Sequence, residues 1–242
     1  MKLINLFALF SISTAIAAEE IQFTAQPPVV DGLVDSKVWD EASWFQIEHI
    51  AVGERPEPQD FSGRFKVLWD TSSIYLLVEL VDDVLIDTYA DPLQNYWDDD
   101  ALEIFIDEDK SGGLHLDNHN AYAYHIGLDN QVVDIDIDGN PALFNSHVES
   151  SWRRSITAPH KIVWEVALSV YDEQQQLVKL NLGKQLGFML AYNDSDGFNG
   201  REAFIGSEEI EPVNGDKNRG YIDADVFGSL LLADKFSKRN EK

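Results

Sequence analysis

The sequence predicts an all-β protein, a single antiparallel β-sandwich of jelly-roll type with ten or more strands. Three observations carry this. Apolar and polar residues alternate over short runs, the period-two pattern of strands with one buried face. Asp-Gly, Asp-Asn and Lys-Ser-Gly-Gly turn signals recur at sandwich spacing. Helical periodicity is nearly absent, and no internal repeat or linker rich in Pro, Gly or Ser divides the chain.

Residues 1–18 are expected to be a signal peptide. Lys2 gives a positive start, Leu3 to Ile16 is mostly apolar, and Ala15-Ile16-Ala17 offers small residues for cleavage. The apolar run is too short to span a bilayer, and no later run is long enough. The domain is therefore expected over residues 19–233, exported to the periplasm or beyond. A charged tail, 234–242, is expected to fray.

Ile21 to Thr24 reads as a first strand, broken by Pro27-Pro28. Asp31-Gly32 marks a turn, and Asp35 or Ser36 caps a short helix running to about Ala42. Trp39 and Trp44 read as core anchors. Phe61–Trp69 and Ile74–Val81 form a hairpin through Asp70-Thr71-Ser72-Ser73. Its second strand is apolar on both faces, as a central strand is. After a polar loop comes Tyr96-Trp97-Asp98-Asp99-Asp100, then an alternating run to Asp107. Leu102, Ile104 and Ile106 face a core, and Glu103, Phe105 and Asp107 face the other way. That places a carboxylate beside an aromatic ring, next to a loop carrying Trp97. A sugar uses such a pairing, stacking its C–H face on the ring and donating its hydroxyls to the acid. A plain half-buried strand behind an acidic turn fits the same pattern.

Asn120–Leu128 and Gln131–Ile137 form a second hairpin. Strands follow at 147–156 and 161–169. In the latter, Ile162, Trp164, Val166 and Leu168 share one side, and Val163, Glu165 and Ala167 the other. Residues 171–179 are polar, with room for one helical turn. Gly187–Tyr192 is a strand, Arg201–Ile205 a short one, 208–225 a long acidic loop, and Phe227–Ala233 the last strand.

Composition narrows the function classes. The 242 residues are 44% hydrophobic, enough for a real core. With 43 acidic and 18 basic residues the net charge is −25. Such a surface repels nucleic-acid phosphates and anionic lipids, so neither nucleic acid nor membrane is an expected partner. It favours divalent cations, although a solvated acidic surface accounts for most of the carboxylates. There is no cysteine, which excludes disulfides, thiolate metal sites and a lipid-anchored cysteine.

The order of the pieces carries a resemblance. PVVDGLVDSKVWDEASW, VLWDTSSIYLLVELVDD, YWDDDALEIFID and a terminal FGSLLL, in that order, resemble a family 9 carbohydrate-binding module, a relative of the DOMON-like sandwich domains. The match runs from about Val29 to Leu232. The resemblance implies two aromatic side chains that clamp a terminal sugar, at Trp97 and Tyr221, with Glu103 fixing hydroxyls. Tyr221 stands where better-known xylanase-associated members have Trp. A basic residue of the middle strand falls on Tyr124, which adds Tyr124 to the expected sugar site. The implied ligands are mono-, oligo- or polysaccharides of plant or algal type. The implied form is a non-catalytic monomer working beside carbohydrate-degrading enzymes. Read without the resemblance, Trp97 also fits a loop plug, Tyr221 a rim residue, and Glu103 the partner of a cation on a neighbouring strand.

Calcium is the expected metal, because the available ligands are hard oxygens. One candidate loop holds Asp194, Asp196 and Asn199. Another, Asp134-Asp136-Asp138-Gly139, begins like an EF-hand loop but has Asn145 at the twelfth position, and strand alternation explains its acids without metal. The family resemblance adds structural calcium to the expectation. Two further readings stay open. Glu103 and Glu165 would make a glycoside hydrolase if they stood about 5–9.5 Å apart. A haem-binding electron carrier would use Met189 with His119 or His125, although no C-x-x-C-H attachment motif is present.

Overall fold

The computed structural model describes residues 18–34, 36–197 and 200–234. The expected leader up to residue 17, Asp35, Asn199 and the tail from residue 235 lie outside these. In chain order the elements are β1 (Glu19–Phe23), α1 (Ser36–Trp39), β2 (Phe45–Ile47), β3 (His49–Val52), β4 (Phe61–Trp69), β5 (Ile74–Asp82), β6 (Ala101–Asp107), β7 (Tyr122–Gly127) and β8 (Val132–Ile135). There follow β9 (Pro141–Leu143), β10 (Val148–Arg154), β11 (Lys161–Leu168), β12 (Gln185–Asp194), β13 (Ala203–Gly206) and β14 (Gly228–Ala233). One short 3₁₀ turn covers Ala224–Val226.

Among the described residues, 14 strands join one hydrogen-bonded sheet, ordered β10-β11-β5-β4-β1-β14-β12-β6-β7-β8-β9. The sheet doubles back on itself into a sandwich. One layer runs from β10 to β4 and the other from β14 to β9. The inward faces are those the alternation predicts. Phe65, Val67, Leu76, Val78, Trp164 and Val166 from the first layer meet Leu102, Ile104, Tyr124, Phe188 and Leu190 from the second in one buried core. Ring contacts cross between the layers at Phe61–Tyr192, 5.2 Å, and Phe65–Phe188, 6.0 Å.

The structure departs from a purely antiparallel sandwich at β1. This strand lies parallel to both β14 and β4 and joins the two layers. The Trp69 indole N–H bridges the junction, donating to Ile21 O at 3.1 Å and Ala233 O at 2.9 Å. A second departure concerns the outer face of β6. Phe105 is fully buried rather than displayed. It packs with Met189, Phe204, Ile210, Ala224 and Phe227, because the loop after β13 folds over this face. Trp39 is a core anchor, packed with Leu68, Tyr75 and Leu77 on the outer face of the other layer. The half-buried Trp44 leans on the same cluster, and the Arg64 guanidinium lies 4.0 Å over its ring.

Helix α1 stops at Trp39, short of the expected Ala42, and closes with a turn in which Ala42 N–H donates to Trp39 O. The polar segment 171–179 forms a tight turn with a Tyr171–Leu177 bridge and no helix. The Asp31-Gly32 turn is held by Glu165. One oxygen of this buried carboxylate accepts from the Asp31 and Gly32 amides at 3.2 and 3.0 Å, and Gly32 takes a positive φ of 73°.

Candidate functional site

Two loops contribute to the walls of a cavity of roughly 360 Å³ on the second layer. The loop between β5 and β6 brings Tyr96 and Trp97. The loop between β13 and β14 brings Asn218 and Tyr221. Glu103 of β6, His125 of β7 and Ile135 of β8 form the floor, and Leu116 and Arg201 complete the lining. Trp97 and Tyr221 are 40% and 41% exposed, unusual for large aromatics in a structure whose core is otherwise closed.

The loops are fastened by their polar residues. In the acidic run after Trp97, Asp99 accepts from the Thr88 and Tyr89 amides at 2.9 and 3.0 Å. Asp100 accepts from the Ile86 and Ser195 amides at 2.5 and 2.9 Å. The Tyr96 ring meets Trp97 edge-on at 4.9 Å and His125 edge-on at 4.7 Å. On the opposite wall His115 donates through Nε2 to Gly220 O at 2.8 Å and through its amide to Ile222 O at 3.1 Å. Burial holds the His115 imidazole below its ordinary range, so it stays neutral and serves as a fixed donor. Gly220 is closely packed: a Cβ there would stand 2.6 Å from Met189 Cε and 2.9 Å from the Phe105 ring, so these side chains would have to shift. Tyr221 is thus carried by backbone pressed against the outer cluster.

Glu103 is 2% exposed, yet it is the charged centre of the floor. Its Oε1 lies 2.8 Å from His125 Nε2, accepts from Asn193 Nδ2, and is 3.8 Å from Arg201 Nη1. Arg201 is itself set by donating to Asn193 Oδ1 at 2.7 Å. Burial pushes the Glu103 carboxyl up, but His125, Arg201 and Asn193 outweigh it and hold the group below the usual carboxylate range. The site therefore offers two flat apolar faces, one ionised acceptor and donors from Arg201 and Asn218. A pyranose ring needs such a set: apolar C–H faces to cover and hydroxyls to pair.

Residues 30–235 match the model of the carbohydrate family 9 binding domain-like family. The chain belongs to this family. Among relatives, this carbohydrate-binding module is 27% identical over 205 residues to endo-1,4-β-xylanase A of Thermotoga maritima. It is 28% identical over 212 residues to endo-1,4-β-xylanase C of Paenibacillus barcinonensis. These matches take in 85% and 86% of the module but 17% of either xylanase, so the chain corresponds to a small part of each. Two solved structures of a family 9 module from Caldicellulosiruptor kristjanssonii share the fold. The one in complex with cellotriose has a TM-score of 0.65 at 19% identity, covering 92% of this chain and 97% of that one. The one in complex with glucose has 0.66 at 19% identity, covering 92% and 100%.

In the family 9 module three of the four residues expected at the sugar site, Trp97, Glu103 and Tyr221, line one cavity. The fourth, Tyr124, does not. It is fully buried in the sandwich core and its hydroxyl donates to His147 Nδ1 at 2.7 Å. The cause is strand phase: Tyr122, Tyr124 and Ile126 point inward, so the residue beside Glu103 is His125. The small-polar sequence Ala123-His125-Gly127 was the signal for this. Asn218 lies in a loop, which carries no periodicity, and Arg201 precedes β13, which begins at Ala203 rather than at the expected Arg201.

Glu165 stands on β11 of the other layer, outside the cavity, and its carboxylate is taken by the Asp31-Gly32 turn, so it makes no pair with Glu103. Met189 is sealed beneath Gly220 and Phe105. His119 is bound by Ile135 O and Gln175, and both ring nitrogens of His125 have protein partners. All three residues of the haem reading are thus engaged by protein neighbours.

Where β5 and β12 end and β6 begins, a second group of side chains has metal-ligand character. One oxygen from each of Asp82, Asp100 and Asp194 lies within 4.8 Å of the others, and the same holds for Asp60, Asp194 and Asp196. Both carboxylate oxygens of buried Asp194 lack a hydrogen-bond partner, as do Asp82 Oδ1 and Asp60 Oδ1. Burial first, and neighbouring carboxylates second, push Asp82 up to about 7 and Asp194 to about 8. Asp100 rises to about 9 and Asp196 to about 6, burial again being the larger cause. Orphaned lone pairs and crowded like charges are what a hard divalent cation relieves. The Asp134–Asp138 loop differs. Asp134 accepts from the Ala123 and Ile135 amides, and Asp136 from those of Asp138 and Asn140. Backbone amides thus occupy Asp134 and Asp136.

Proposed function

We propose that this module is exported and non-catalytic, and that it holds the terminal sugar of a plant- or algal-type oligo- or polysaccharide between Trp97 and Tyr221. The observation that carries the reading is a single cavity in which exposed aromatics from two separate loops flank a buried, ionised Glu103. Arg201 and Asn218 donate to ring or hydroxyl oxygens, and the free Glu103 oxygen accepts a hydroxyl. A charge-assisted bond of that kind contributes about 1.5–3 kcal/mol. Because glucose and cellotriose are bound by the related structures, a glucose-type ring is the first ligand to test. Export is supported by the apolar leader, and among the described residues no helix is long and apolar enough to cross a membrane. In this reading the module is a monomer that keeps carbohydrate-degrading enzymes near their polymer.

Calcium belongs to the same proposal. The orphaned oxygens of Asp60, Asp82 and Asp194 fit it, with Asp100 and Asp196 beside them. The expected Asp194 and Asp196 are thereby joined by Asp60, Asp82 and Asp100, while Asn199 lies outside the described residues.

Calorimetry with glucose, cellobiose and cellotriose tests the sugar site. One clamped ring buries little area and must offset lost translational freedom. Binding is expected between roughly micromolar and millimolar, about 4–8 kcal/mol. Cellobiose and cellotriose should bind alike, since further units extend into solvent. Affinity that climbs steadily with chain length would instead mean an open groove, and no binding at millimolar sugar would sink the reading.

A further inference from the structure

Both ring nitrogens of His125 face acceptor oxygens. Nδ1 lies 3.1 Å from Ala123 O, and Nε2 lies 2.8 Å from Glu103 Oε1. Both partners are acceptors with no proton to give. A neutral imidazole carries one N–H and one lone pair. Either neutral tautomer therefore turns a lone pair onto an oxygen at hydrogen-bond distance, on the carbonyl side or on the carboxylate side. Only the doubly protonated ring fills both contacts. The ring cannot turn away easily, because β7 pairs with β6 at His125–Glu103 and Tyr96 stands edge-on against its face.

We propose that protonated His125 is the positioning residue of the sugar site, its charge holding Glu103 ionised and aimed at the ligand. The inference rests on the sugar-site reading and deepens it. Among the described residues, all three protein partners of Glu103 converge on Oε1, which leaves Oε2 for a ligand hydroxyl. Without the imidazolium, Arg201 is the one cation left near Glu103 among the described residues, and its nearest nitrogen is 3.8 Å away. The other groups facing His125 are acidic or neutral. Asp134 of β8 adds negative charge, Tyr96 stays a neutral phenol, and Asp100 and Asp129 line a small acidic cavity on the far side of the ring. Glu103 is the group in direct contact, and the proton on Nε2 is the link between charge and geometry.

The test is calorimetry of glucose and cellobiose binding to the whole protein, with excess calcium present throughout. His125→Gln, which removes the charge, should bind about tenfold more weakly than wild type, the loss of one charge-assisted contact, with near-ultraviolet circular dichroism confirming its fold. His125→Arg, which keeps the charge, should recover most of the lost affinity. His125→Gln binding as tightly as wild type, or His125→Arg binding no better than His125→Gln, overturns the proposal without touching the sugar site. Absence of binding by wild type overturns this inference together with the reading beneath it.

Discussion

Tryptophan is the residue on which sequence and structure divide most instructively. Of the tryptophans, Trp39, Trp69 and Trp164 are buried in the packed clusters, and Trp97 stands 40% exposed over the cavity. Trp97→Ala should therefore weaken sugar binding at least about tenfold, or 1.4 kcal/mol, while leaving the melting temperature nearly unchanged. Trp152→Ala should do the reverse, since that ring packs on Trp164 and donates to Leu128 O. Equal affinity losses in the two variants, read by calorimetry, would remove Trp97 from the site. Histidine 147 gives a second residue-level expectation. Its ring stacks on Tyr171 at 3.7 Å and accepts the Tyr124 hydroxyl, so it is held neutral. Burial, then the nearby His119, lowers it to about 4 against an ordinary 6.5. A depressed histidine contributes stability that is present above the unfolded value and lost as pH falls toward the folded one. On the order of 3 kcal/mol should thus disappear between pH 6.5 and pH 4. Urea melts across that range check it, and His147→Gln should flatten that part of the curve.

At the level of elements, the loop from β5 to β6 and the end of β12 are the pieces the carboxylate cluster ties together. The raised values of Asp196, Asp82, Asp194 and Asp100, about 6, 7, 8 and 9, apply to the protein without metal. Carboxyls whose folded values lie above their unfolded ones lend stability that is lost as pH rises through the folded values. In chelator, the melting temperature should accordingly fall from pH 6 to pH 9, whereas saturating calcium should remove that fall. At a hundredfold excess over Kd, calcium adds about 2.7 kcal/mol. Asp194→Ala should abolish the chelator effect, and a fully stripped protein that melts unchanged would reject the metal. The long strands were legible because alternation has a period: β4, β5, β6 and β11 keep the faces read from sequence. Strands β2, β3 and β9, of three or four residues, offer too few alternations to show one. The same limit explains the site. Trp97 and Glu103 sit on or beside a periodic strand, while Asn218 and Arg201 come from loops. His125 was hidden by placing its strand one residue out of phase, which exchanges the two faces.

For the molecule as a whole, the sandwich buries its apolar residues in three clusters and leaves a strongly acidic exterior. The strand that joins its layers is β1, lying parallel between β4 and β14, with Glu19 opposite Leu230. The earliest strand of the domain thus finds one of its two neighbours only in the latest. On a ribosome, or during any vectorial delivery, this seam cannot close until nearly all of the domain has emerged. Ring closure over so long a stretch makes for high contact order and slow folding. A chain cut after Phe227 should keep β4 and β5 yet leave β1 and β12 each with an open edge, so it should aggregate where the full chain refolds. Light scattering during dilution from urea would show it, and clean refolding of the shortened chain would contradict it. The seam at β1 thus acts as a completeness check, withholding the finished sheet from any nascent chain that lacks its last strand.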